Sequence, residues 1–273
     1  MNGELAQIVY LASHGSSWLS SDEPEAPPAD LGQESWAFQF VGSLEFSLTA
    51  GPGKLYEATT AAEWLAQLRS RGAARLWLAI PEARAVTIGG TEAGEHQLAG
   101  FSNAGRWSLI AAGRQRPEIW RPVWTVGDRS APDRRIWSVR YEGARVDRAM
   151  PQCPDLQAAA TQLSWALVEA HDFAARQGLA EWSGLFGQIL AADGDAPDRA
   201  HLLPPRYSAA AHRLLAEADQ AWVFGGMGSW NDLGFPDQAV EQEYQEVSRA
   251  LYSAVLNAVL ASTNCDFLHD AYR

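Results

Sequence analysis

The sequence predicts an α+β protein: an N-terminal mixed, mainly antiparallel β-sheet with one early helix, followed by a C-terminal all-helical layer packed on it. Three observations carry this. Period-two alternation prevails up to about residue 150, helical periodicity prevails after it, and Met150-Pro151-Gln152-Cys153-Pro154-Asp155 marks the change. Residues 1–150 are expected to form the β-rich region and 151–273 the helical one, packed together as one compact unit. A chain of 273 residues with 47% hydrophobic content can bury a real core and is not of disordered composition.

Taken in order, Ala6–Ala12 is a short apolar run that predicts a buried strand, ending at the polar turn His14-Gly15-Ser16-Ser17. An acidic, proline-rich loop follows between Asp22 and Asp30. Trp36, Phe38, Phe40, Leu44, Phe46 and Leu48 then alternate with polar residues, which predicts one strand face, broken or bent at Gly42. Thr60-Ala61-Ala62-Glu63 fits a capping box, opening a helix that buries Ala61, Trp64, Leu65 and Leu68 and stops at Gly72. Leu76–Ile80 reads as a buried strand. A meander of Val86–Ile88, Trp107–Ala111, Ile119–Val126 and Arg135–Tyr141 comes next, with Pro122 confining its strand to an edge or a bulge.

Beyond the boundary, Asp155 can cap a helix that runs to Gly178, and Leu179–Ala192 and Tyr207–Phe224 predict two more. The last helix is expected from about Asp237 to Ser262. Val240, Tyr244, Val247 and Leu251 form a stripe on its first half, and its second half is apolar nearly all round, so other elements or a partner chain must enclose it.

Charge bounds the partners. The net charge of −12 is uneven: residues 1–150 hold 17 acidic and 15 basic residues, and the remainder holds 16 and 6. Residues 106–148 reverse the sign, with ten arginines against five acids, so a basic sheet is expected to attract the acidic helices. The overall acidity disfavours nucleic acid as a partner. No apolar run reaches membrane-spanning length, and Met1-Asn2-Gly3-Glu4 does not resemble a signal peptide, so no membrane association and a cytoplasmic location are expected. Cys153 and Cys265 lack metal-ligand spacing, and whether they pair is open.

Three constellations could carry chemistry. In Gly225-Gly226-Met227-Gly228-Ser229-Trp230-Asn231-Asp232, close glycines could turn backbone N–H groups towards an anion, making Gly226, Gly228, Ser229, Trp230 and Asn231 candidate binding residues. The plainer reading is a helix C-cap and tight turn, with Trp230 plugging the core. His14 and Ser16, at the predicted strand end, are candidate catalytic groups with Asp232, although no nucleophile elbow accompanies them. The Arg/Trp set Arg106, Trp107, Arg114, Arg116, Trp120, Arg121, Trp124, Arg134, Arg135, Trp137, Arg140 and Tyr141 could stack bases, or could be an ordinary half-buried sheet with tryptophans inward. The histidines are dispersed and no metal site or cofactor is expected.

These readings favour a non-catalytic interaction, regulatory or immunity-like protein whose partner is another protein or a second copy of itself. The alternatives are a small-molecule hydrolase or transferase with a pocket between sheet and helices, and a nucleotide or oligonucleotide binder using the Arg/Trp sheet.

Overall fold

The computed structural model describes residues 1–21, 27, 31–32, 35–50, 53–81, 86–88, 91–147, 149, 152–192 and 202–265. The acidic loop between Asp22 and Asp30, save position 27, and residues 193–201 of the next polar connection lie outside them. The class is α+β. Strands β1 (Val41–Ala50), β2 (Gly53–Ala58), β3 (Ala73–Ala79), β6 (Ser108–Gly113), β7 (Glu118–Val126) and β8 (Trp137–Arg145) form one mixed sheet in the order β2-β1-β8-β7-β6-β3. Its neighbours run antiparallel except β1 and β8, which pair parallel with Phe46 beside Tyr141. Separately, β4 (Val86–Ile88) pairs antiparallel with β5 (Thr91–Ala93).

The first element corrects the sequence reading. Residues Gly3–Leu19 form a helix, α1, where a strand was expected at Ala6–Ala12. Asn2 caps it, accepting from the Leu5 N–H at 3.0 Å. Leu5, Ile8, Val9 and Leu11 are fully buried, as are Gln7 and Ser13. A helix enclosed on all sides shows no amphipathic period, and its short apolar run looks the same as a buried strand.

The Trp36–Leu48 strand is also shorter than expected. Trp36–Phe38 is a single 3-10 turn capped by Ser35, and β1 begins only at Val41. The break expected at Gly42 is real: the β1–β8 register shifts between Val41 and Ser43, and a Cβ on Gly42 would lie 2.4 Å from the Arg135 carbonyl oxygen. From there Phe46 and Leu48 face inward as the alternation requires. Phe46 stacks on Trp64 at 4.4 Å and lies beside its sheet neighbour Tyr141 at 5.0 Å, so α2 (Ala61–Ser70) covers the inner face of the sheet. Thr60 caps α2 as predicted, but Glu63 returns to the Thr59 N–H rather than to that of Thr60. Pro122 finds its exemption locally: β6 pairs with β7 only from Leu109 to Ala111, opposite Trp120 to Glu118, so at Pro122 that side of β7 has no ladder.

The other sheet face is exposed and polar, with Glu45, Arg121, Arg140 and Glu142 on it. The arginines on this face therefore do not reach the acidic helices. Arg140 pairs with Glu45 at 3.3 Å, while Arg145 and Arg71 both meet the buried Glu118. These partners all lie in the first half of the chain.

That layer consists of α4 (Leu156–Arg176), α5 (Ala180–Ala191), α6 (Ala209–Gln220) and α7 (Gln238–Asn264), with the one-turn α3 (Glu95–Leu98) at its margin. Helix α7 touches α1, α3, α4, α6 and β3. Val255, Ala258 and Val259 are fully buried and Leu256 is nearly so. The stripe on its first half is also covered within the chain, since Tyr244 packs on Phe173, Trp230 and Phe235 and donates to the Trp230 carbonyl. No second copy is needed to enclose this helix.

The outer edge of β3 explains how α1 and α7 are seated. The backbone groups of Leu76, Leu78 and Ile80 turn away from β6, and side chains meet them instead of another strand. The Ser16 hydroxyl donates to the Leu76 carbonyl at 2.6 Å and accepts from its N–H at 3.0 Å. The Asn264 amide accepts from the Leu78 N–H at 3.0 Å and donates to its carbonyl at 2.8 Å. Gln152 accepts from the Ile80 N–H at 3.3 Å and, through its backbone carbonyl, accepts from Asn264 at 2.8 Å. Alongside, Cys153 and Cys265 form a disulfide, with Cα atoms 5.3 Å apart. No described helix is long and apolar enough to cross a membrane.

Because Asn264→Ala strands two buried backbone groups at once, it is expected to cost about 3 kcal/mol of unfolding free energy. Asn257→Ala, which loses only an exposed contact to Gln162, should change stability by less than about 0.5 kcal/mol. Urea unfolding of both variants checks this, and equal midpoints would refute the edge-sealing role.

Candidate binding site

The catalytic candidates do not converge. Ser16 is buried and its hydroxyl is engaged with the β3 edge, while His14 stacks on Tyr10 at 3.9 Å one turn earlier on α1. Asp232 closes its own loop, accepting from the Gly228 N–H and, at 3.2 Å, from the Ser229 N–H. The carboxylate thus occupies the backbone donors that an anion would need. Gly228 takes a φ of +82°, which lets the turn present those N–H groups. Ser229 caps a 3-10 turn over Trp230–Asp232, and Asn231 donates to the His96 carbonyl at 2.8 Å. Trp230 is fully buried among Phe173, Trp182, Phe186 and Tyr244 and donates to Ser248 at 2.7 Å. Gly226 contacts nothing that a Cβ would meet. The six residues build a capped turn with a core plug.

The Arg/Trp set divides by face. Trp107, Trp120, Trp124 and Tyr141 are buried, whereas Arg114, Arg116, Arg121, Arg134 and Arg140 are exposed. Aromatic and basic groups do not share a surface there.

A different cluster does form a concave site. A cavity of about 230 Å³ opens where the first turn of α1 meets the end of the sheet. Its walls include Trp36, Phe40, Phe101, Trp124 and Trp137, and among the described residues Glu4 is the single ionisable side chain lining it. Trp124 and Trp137 are diagonal neighbours on the inner face of β7 and β8, since Trp124 sits opposite Val139, and their rings meet edge to face at 6.1 Å. The Trp36–Val41 segment is tied to β8 by the Trp137 N–H, which donates to the Phe40 carbonyl at 3.0 Å. Phe40 and Phe101 remain 47% and 67% exposed at the rim.

Asn103 holds the pieces together. Its φ of +65° is one that few residues other than glycine and asparagine adopt readily. Its side-chain amide accepts from the Trp124 N–H at 2.7 Å and donates to the Trp124 carbonyl at 3.0 Å, extending the ladder where β6 has stopped. Its backbone N–H donates to both carboxylate oxygens of Glu4, at 2.9 and 3.1 Å. Asn2 adds a bond to the Ala99 carbonyl at 3.1 Å. Burial pushes the Glu4 carboxyl above its usual range, against the lowering effect of the Asn103 N–H.

The sequence reading missed this site because its residues come from five separated stretches. Its one available signal was the aromatic excess, twelve tryptophans in all, since the strand pattern had already accounted for Trp36 and Phe40. Among the described residues no group of histidines, cysteines and acids could hold a metal ion. Compared with protein-family models, curated proteins and solved structures, the chain finds no match.

Replacing Asn103 with alanine removes two hydrogen bonds to Trp124 and disfavours the left-handed backbone, for an expected loss of about 2 kcal/mol. Tryptophan emission should also shift to the red as Trp124 and Trp137 gain water. Asn103→Gly keeps the backbone conformation and isolates the amide's share. An unshifted emission maximum in both variants would contradict the bracing role.

Proposed function

We propose that this chain is a non-catalytic binding protein, of the interaction, regulatory or immunity-like kind, that recognises another protein by taking one of its side chains into the aromatic cavity. One observation carries the reading. Five aromatic side chains from four segments surround a single solvent-open cavity, and two of them project at its rim. Aromatic residues supply much of the binding energy at protein interfaces, and clustered exposed apolar groups in a folded chain mark contact sites. Phe101 also adjoins the glycine loop, where the Gly100 backbone lies against Gly225 and Met227 is wholly exposed, so the apolar surface extends beyond the cavity.

The two other readings have less support. A hydrolase or transferase would draw on His14, Ser16 and Asp232, none of which lines this cavity. An oligonucleotide binder would want the sheet tryptophans beside the arginines. A second copy of the chain is the alternative partner, which sedimentation of the isolated protein would reveal as a dimer. The Cys153–Cys265 bridge favours an oxidising compartment over the expected cytoplasmic one, and alkylation of free thiols in intact cells would decide between them.

The test compares two exposed aromatics. Phe101→Ser, at the rim, is expected to weaken association with a copurifying partner at least tenfold, a typical loss for a central interface aromatic. Trp165→Ser removes an equally exposed side chain on α4 and should leave association unchanged. Equal affinities for the two variants would contradict the proposal.

A further inference from the structure

We infer that the side chain seated in the cavity is positively charged, a basic residue of the partner protein, with Glu4 as its counter-ion. This rests on the cavity being the recognition site and adds the chemistry of its occupant. Aromatic faces attract cations, and five aromatic residues surround this space. Among the described residues Glu4 is the one ionisable group lining it, and no arginine or lysine pairs with it. Its hydrogen bonds among the described residues come from a single N–H, that of Asn103. A carboxylate offers about four lone-pair directions, so acceptor capacity remains for a second donor.

The three kinds of occupant differ sharply in cost. A neutral apolar side chain would strip the remaining water from Glu4 and return nothing to it. An acidic one would add repulsion at short range in a poorly solvated space. A basic one restores a partner to the carboxylate while its alkyl stem contacts the rings. The field of the whole chain acts in the same direction, since a net charge of −12 draws basic partners towards it. Placement in the first turn of α1 also favours the charged form of Glu4, through the unpaired N–H groups of the helix end.

The experiment titrates the full chain with Nα-acetyl amides of lysine, trimethyllysine, arginine and norleucine, and with choline, following tryptophan emission. At least one of the three basic amino-acid probes is expected to bind about fivefold or more tightly than norleucine, the margin that ring contact and the carboxylate supply together. Glu4→Gln keeps the shape and an acceptor for Asn103, and should shrink that preference to what the rings alone supply, while norleucine binds as tightly as before or more tightly, since the charge it desolvates is gone. Norleucine binding as tightly as the basic probes would overturn the charge inference, and a preference undiminished in Glu4→Gln would overturn the counter-ion role of Glu4, yet either would leave the cavity as a binding site. Choline binding without any response to the amino-acid probes would overturn the assignment to a partner's side chain. Silence with every probe would contradict the cavity reading itself, and the inference with it. An unchanged circular dichroism spectrum of Glu4→Gln confirms that its comparison is made on folded protein.

Discussion

Polar side chains replace a missing strand along the outer edge of β3, and the rest of the molecule is arranged around that substitution. An edge strand exposes a row of unpaired N–H and C=O groups and invites pairing with other chains. Here Leu76, Leu78 and Ile80 are met in turn by Ser16, Asn264 and Gln152. The three side chains are far apart in sequence, so closing this edge draws in the start of the chain, the boundary between its halves and the end of α7. The disulfide between Cys153 and Cys265 joins the residues next to Gln152 and Asn264, and so ties the boundary segment to the end of α7. Burial of α7 follows, because its last turn cannot satisfy the β3 edge without lying inside the helical layer.

The same arrangement positions the candidate site. Helix α1 has 17 residues and spans roughly 25 Å at the usual helical rise. Ser16 anchors its C-terminal end at β3, which points its N-terminal turn towards the opposite end of the sheet. There Glu4 meets the Asn103 loop, and Asn103 in turn pairs with Trp124. Close approach to the sheet depends on small residues along α1. A Cβ on Gly15 would sit 2.5 Å from the Leu76 side chain and 3.1 Å from that of Leu65. One helix therefore seals the edge strand and delivers the carboxylate of the aromatic cavity.

Much of the fold was legible because its signals are local. The stops at Gly72 and Gly178, the caps at Thr60 and Asp155, and the alternation of Phe46 and Leu48 each act within a few residues. Helix α1 was not legible, because enclosure on every side erases the period that distinguishes helix from strand. Nor was β2, whose Gly53–Ala58 sequence offers no clear alternation. The conspicuous glycine loop proved to be a self-capped turn, in which Asp232 satisfies the donors its glycines present. The aromatic cavity was illegible for the opposite reason: Glu4, Trp36, Phe101, Trp124 and Trp137 acquire meaning only once the topology brings them together. Ser16 shows how position decides role, since a hydroxyl that looks catalytic at a strand end becomes a backbone surrogate inside a helix.

Hydrogen exchange at the Leu76 and Leu78 amides tests the edge substitution most directly. If Ser16 and Asn264 stand in for a strand, both N–H groups will exchange as slowly as the amides of β8 at the centre of the sheet, opening only with global unfolding. Exchange of both at the rate of a solvent-exposed edge, while β8 stays protected, would contradict the account.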